Sequence, residues 1–263
     1  MGKWVPKFII EFEANIWNIH AADATTLLLE LRNPEEESLS YALVDMEKGA
    51  VNMPDIPDVN WFSHVLYADR NLLLTQVYSD SDNPDDLSFV CYDMHSGKCT
   101  WQAEGMQFIG VEGPNFAFRK GDGKQVYIDS KSGNEIHRNE QSMGVSTPED
   151  PLLEFPAHYT EGDEYFEDVA DYIRTEAGAE PVRAIDYAEK GNHIIFSYYK
   201  KEVDGNLGLD LLSLNTEGET SLFQNLGKDL RGIADPPFMF YNGNLIFVKE
   251  KRHFFVYALP SQN

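Results

Sequence analysis

Short runs of apolar residues, each about five to eight long, succeed one another along the chain and are bounded by Asp, Asn, Gly and Pro. Asn115-Phe116-Ala117-Phe118, His193-Ile194-Ile195-Phe196 and Asn244-Leu245-Ile246-Phe247-Val248 are of this kind. Their aromatic and β-branched content suits strands, where such side chains pack on a pleated face. One segment has a different period. Tyr165, Phe166, Val169, Tyr172 and Ile173 recur at helical spacing, which predicts a helix over Asp163–Ala177 with one apolar stripe. Acidic residues crowd its start, where the helix dipole favours them, and Gly178 follows as a C-cap.

The strands repeat in an ordered way. Asn33-Pro34 leads through Glu35-Glu36-Glu37 and Leu39-Ser40-Tyr41 to Asp45-Met46 and Gly49; Asn83-Pro84 leads through Asp85-Asp86 and Leu87-Ser88-Phe89 to Asp93-Met94 and Gly97. Upstream, Ala22-Asp23 precedes Leu27-Leu28-Leu29, and Ala68-Asp69 precedes Leu72-Leu73-Leu74. Looser copies follow at Val126–Gly133, Leu211–Gly218 and Phe254–Leu259. In each, Asp or Asn hydrogen-bonds the backbone ahead of it and Gly supplies the positive φ of the turn.

Copies spaced by about forty residues, none able to bury both faces alone, predict stacked four-stranded blades. The expected fold is therefore all-β, a single small β-propeller of about five blades at 14–54, 58–103, 104–138, 182–224 and 230–260. An insertion at 139–181, helical over about 160–178, separates blades three and four. First strands are expected at Trp17–Ala22, Trp61–Ala68, Gly105–Val111, Val182–Ala188 and Pro237–Tyr241, lining the axis.

Tyr92-Asp93-Met94-His95-Ser96-Gly97-Lys98-Cys99-Thr100-Trp101 resembles the repeat of PQQ-like propellers: a strand, Asp-x-x-x-Gly, then Trp four residues on. Only this copy keeps the Trp. The chain also resembles short bacterial propellers of unknown function and, more distantly, WD-like ones. The resemblance implies the architecture and does not imply PQQ or any other cofactor.

Charge narrows the partners. Forty-four Asp and Glu against 21 Lys and Arg give a formal net charge of −23, which repels phosphate backbones and anionic membranes. The N-terminal apolar stretch is broken by Glu11 and Glu13 and does not read as a signal peptide, and Pro6 stands where a myristoylation signal needs Ser or Thr. A cytoplasmic monomer is expected. Cys91 and Cys99 flank a turn, and simple hairpin pairing sets them opposite each other, reduced in that compartment.

Candidate chemistry is sparse. Trp17-x-x-His20 and Trp61-x-x-His64 repeat on first strands, and regular alternation sends ring and imidazole to opposite faces. No metal site is expected: the loop Asp80–Asp86 has Pro84 and Asp85 where a calcium loop needs an acid and Gly. Asp58, Asp69, Asp186 and Asp235 fall near first strands, Asp69 as a turn residue. No nucleophile elbow, phosphate loop or zinc-protease motif occurs. The expected function is a non-enzymatic module binding a protein or small ligand on the insertion-bearing face. His20, His64, Asp186, Tyr165 and Tyr172 are its candidate axial residues. The alternative is a glycosidase-like hydrolase with axial carboxylates.

Overall fold

The computed structural model describes residues 3–78, 87–136, 152–233 and 236–260. The acidic loop Asp80–Asp86, Asp235 and the first part of the insertion lie outside these residues. The described strands form five antiparallel sheets, the blades of an all-β propeller, and one helix, α1 (Phe166–Ala177), accompanies them.

After β1 (Phe8–Glu11), blade one comprises β2 (Asn15–Asp23), β3 (Thr26–Asn33), β4 (Ser38–Asp45) and β5 (Val51–Asn52). Blade two comprises β6 (His64–Ala68), β7 (Leu72–Tyr78), β8 (Leu87–Asp93) and β9 (Cys99–Glu104). Blade three comprises β10 (Met106–Glu112), β11 (Asn115–Lys120), β12 (Gln125–Asp129) and β13 (Glu135–Ile136). These three belong to one compact unit, residues 14–152. Leu28 and Tyr41 of blade one pack with Leu73, Val90 and Tyr92 of blade two. Leu74, Phe89 and Trp101 of blade two pack with Phe116 and Phe118 of blade three. Each such side chain contributes about 1.5–3 kcal/mol when buried, so the shared faces hold the blades together.

The repeated turn is built alike in all three. Asp45 Oδ1 accepts from the N–H groups of Glu47 and Lys48, Asp93 Oδ1 from His95 and Ser96, and Asp129 Oδ1 from Ser132. The residue after each Asp then donates its N–H to the preceding hairpin: Met46 to Thr25, Met94 to Asn71 and Ser130 to Pro114. The sequence repeat is thus a hydrogen-bonding repeat. Asp69 is a turn residue as expected, its Oδ1 capping Asn71 and Leu72.

The second unit holds residues 1–13 and 153–263. Its blades exceed their expected bounds. β14 (Leu153–Glu154) and β15 (Ala157–Thr160) precede α1; after it come β16 (Val182–Lys190), β17 (His193–Lys201), β18 (Leu207–Asn215) and β19 (Thr220–Leu230). Blade four is β15 to β19, with β15 added beside the first strand β16. Blade five runs through β20 (Phe238–Tyr241), β21 (Asn244–Lys249) and β22 (His253–Ala258), flanked by β14 on one side and β1 on the other. Its outermost strand therefore comes from the N-terminal segment, Phe8 pairing with Val256 and Glu11 with His253. Local pattern reading cannot see a pairing between segments so far apart in sequence.

α1 begins at Phe166 and ends on Gly178, whose φ of 63° and bond to Arg174 O make the expected left-handed cap. Phe166, Ala170 and Ile173 are buried against Ile185, Phe196, Leu212 and Leu214 of blade four. Tyr165 lies before the helix and is 55% exposed, so the apolar stripe is narrower than its spacing predicted.

Candidate functional site

The Trp-x-x-His motif leads to the most organised polar cluster of the 14–152 unit. In β2, Ile16 pairs with Leu31 and Asn18 with Glu30, leaving Trp17 as the extra residue of a β-bulge. A bulge sets two residues of one strand against one of its partner and re-aims a side chain. Here it overturns the expected separation of ring and imidazole. Trp17, Asn18 and His20 all address the face of β3 that carries Glu30 and Arg32.

Arg32 is the centre of the cluster. Its Nε donates to Glu30 Oε1 at 2.7 Å and its Nη2 to Ser63 O at 2.9 Å, while Nη1 donates to Trp61 O. Both indoles flank the guanidinium, with Arg32 Cζ 5.3 Å from the Trp17 ring centroid and 5.4 Å from that of Trp61. The rings of the two motif copies thus meet, 6.2 Å apart at an interplanar angle of 61°. Trp61 is held from its own side by a tight turn. Asn60 Oδ1 accepts from Phe62 N, Asn60 N donates to Ser63 Oγ, and Asn60 Nδ2 donates to Tyr78 O.

Burial divides this assembly into a fixed base and an open top. Glu30 and Arg32 are 1% and 5% exposed, whereas Trp17 is 56% exposed and Phe62 48%. Burial by itself would push the Glu30 carboxyl up, but the His20 and Arg32 side chains, the Arg32 charge and Asn18 outweigh it. They hold Glu30 below the usual carboxylate range. A buried pair of this kind stays charged because each partner satisfies the other. His20 Nε2 stands 3.9 Å from Glu30 Oε2. His64 takes no part, since its ring meets Tyr78 edge-on at 6.2 Å.

The other unit contains Asp186, Tyr165 and Tyr172. Asp186 is 1% exposed on β16. Its Oδ1 lies 2.7 Å from His158 Nδ1, and its Oδ2 accepts from Ser197 Oγ at 2.6 Å. Burial pushes the Asp186 carboxyl above its ordinary value, and the Ser197 and His158 bonds only partly offset this. An ionised Asp186 can only accept, so in that state His158 Nδ1–H is the donor of their bond. Tyr172 packs on Phe196 at 5.7 Å as part of the helix packing, whereas Tyr165, exposed ahead of the helix, lies 6.1 Å from Tyr159.

Sequence reasoning missed Arg32, Glu30 and His158. A signal existed for the first two: opposite charges at i and i+2, Glu30 within the apolar run Leu27–Leu31 and Arg32 just after it, mark one face of a strand as polar. His158 gave none, because its strand pairs only through the tertiary fold. Among the described residues no group of three or more His, Cys, Asp or Glu is arranged to hold a metal ion.

No family model and no curated protein matches the sequence. Solved structures do match. BamB from Moraxella catarrhalis is 13% identical over 93% of this chain and 59% of its own, with a TM-score of 0.27. The β-propeller domain of the Trilobed protease from Pyrococcus furiosus is 9% identical over 98% and 65%, with a TM-score of 0.31. An exo-β-1,3-galactanase from Phanerochaete chrysosporium is 8% identical over 98% and 63%, with a TM-score of 0.28. The chain thus spans less than two thirds of the length of each, and at these scores the likeness says nothing about activity.

Proposed function

We propose that the protein is a non-enzymatic binding module whose recognition surface is the aromatic platform of Trp17, Trp61 and Phe62. The observation that carries this reading is the buried Arg32–Glu30 pair clamped between the exposed indole of Trp17 and the half-buried indole of Trp61. Large exposed aromatics on a rigid base are what binding hot spots use, since little conformational entropy is lost when a partner arrives. The helix α1 offers less, because its apolar stripe is consumed by blade four. Net charge argues against nucleic acid as the partner. No helix among the described residues is long and apolar enough to cross a membrane, and the free thiols of Cys91 and Cys99 suit the reducing cytoplasm in which we place the protein.

The enzymatic reading has one observation in its favour, the buried Asp186 with its raised pKa. A glycosidase needs two carboxyl groups about 5–10 Å apart on either side of the scissile bond. Both oxygens of Asp186 are engaged by His158 and Ser197, which suits orienting a histidine better than protonating a sugar.

A fragment screen on protein labelled with 5-fluorotryptophan tests the binding reading. Fluorine resonances of Trp17 and Trp61 should move with the hits, while the buried Trp101 stays still. Hits that gather at His158 instead, leaving both platform resonances unmoved, would sink it.

A further inference from the structure

The platform has a definite electrostatic character, and that selects a class of ligand. Arg32 brings one positive charge to the indole faces, but Glu30 cancels it at 2.5 Å. The pair is neutral as a whole and closed to solvent beneath the rings. An anionic ligand finds no free charge here, and the net charge of −23 opposes its approach. A cationic group would be drawn by that net charge, yet the π-faces it would seek are already engaged by a guanidinium 5.3 and 5.4 Å from their centroids. The guanidinium already occupies the inward ring faces, so a second cation has no free seat between the indoles.

A neutral ligand remains. Its contact face must be rich in C–H groups to cover the exposed side of Trp17, since an aromatic face gains by burying apolar area. Its edge must be hydroxylated to use the polar rim. Asn18, exposed beside Trp17, donates through Nδ2 to Glu30 at 3.2 Å and keeps its amide oxygen as an acceptor. The backbone turn at Asn60–Ser63, tied by its own side-chain bonds, leaves Phe62 exposed beside Trp61 in sequence. Apolar faces combined with hydroxyl edges describe a pyranose ring. We infer that the platform binds a neutral saccharide, one sugar ring stacked on Trp17 with its hydroxyls toward Asn18. The inference rests on the binding reading above and narrows it to one ligand class.

The test is calorimetric titration of the full chain with neutral gluco-, xylo-, manno- and galacto-oligosaccharides, with the fluorine spectrum of the same samples recorded alongside. An oligogalacturonate and a Lys/Arg-rich peptide serve as charged probes. At least one neutral oligosaccharide should bind saturably and shift the Trp17 and Trp61 resonances. Affinity should fall about tenfold or more in Trp17→Ala, in line with loss of a central aromatic contact, and only partly in Trp17→Phe, which also guards against a folding defect in the first variant. If only the peptide moves the platform resonances, the saccharide inference is overturned while the binding surface stands. If no probe moves them, the saccharide inference fails, and the fragment screen decides the surface separately.

Discussion

Trp101 of blade two lies directly on Gly133 of the blade-three turn: a β-carbon at Gly133 would stand 2.5 Å from Trp101 Cγ. The indole N–H of Trp101 donates to Ser130 O at 2.8 Å, so one side chain seals the neighbouring turn by both packing and hydrogen bonding. The Gly133 φ of 72° is itself in the left-handed region. Gly133→Ala combines a clash against fixed ring atoms with that strain, and is expected to cost roughly 2–4 kcal/mol. Trp101→Phe removes the hydrogen bond and part of the ring, at roughly 1–3 kcal/mol. Urea denaturation followed by fluorescence should rank the two below the wild type; a Gly133→Ala protein as stable as the parent would contradict the packing.

Two buried carboxyl groups should respond to acid in opposite directions. Glu30 is held below its ordinary pKa, so the stability it contributes is present above the unfolded value and lost as pH falls through the folded one. Asp186 is raised, so its contribution is present below the unfolded value and lost as pH rises through the folded one. In stability measured from pH 3 to pH 7, Glu30→Gln should flatten the acid-induced loss, and Asp186→Asn should make that loss steeper. At neutral pH Glu30→Gln also leaves Arg32 buried without its counter-charge, a change worth roughly 3–5 kcal/mol.

Blade five depends on β1. Removing residues 1–12 takes away its outermost strand and uncovers the edge of β22 from Arg252 to Val256. An uncovered strand edge is a template for pairing with other chains. The truncated protein should therefore melt at a lower temperature and elute as aggregates in size-exclusion chromatography, while the intact chain does not.

The two cysteines should be chemically distinct. Cys91 pairs across the sheet with Trp101, and Cys99 with Tyr92, because a bulge in the β8–β9 ladder shifts the register. They are not opposite one another as simple pairing expected, and both are free. Burial pushes the Cys91 thiol up to about 11; Cys99 is raised by burial too but is exposed. One thiol, Cys99, should react with a disulfide reagent in the native state, and the second only after denaturant is added.

What could be read without the structure was whatever is decided within a few residues. The Asp-x-x-x-Gly turns, the strands they join, a helix expected over 163–177 and found from Phe166, and its Gly178 cap all follow from local hydrogen bonding, φ preference and periodicity, which neighbouring residues settle among themselves. The blade repeat follows too, since each hairpin leaves an apolar face that only another can cover. The rest depends on contacts between segments far apart in the chain. A single-residue bulge turns Trp17 toward Arg32, and Trp61 arrives there from the next blade. β1 completes blade five across nearly the whole chain, and His158 meets Asp186 only because β15 pairs beside β16. Sequence spacing carries no record of which strand lies next to which, so the fold's vocabulary was local while its candidate site was made by assembly.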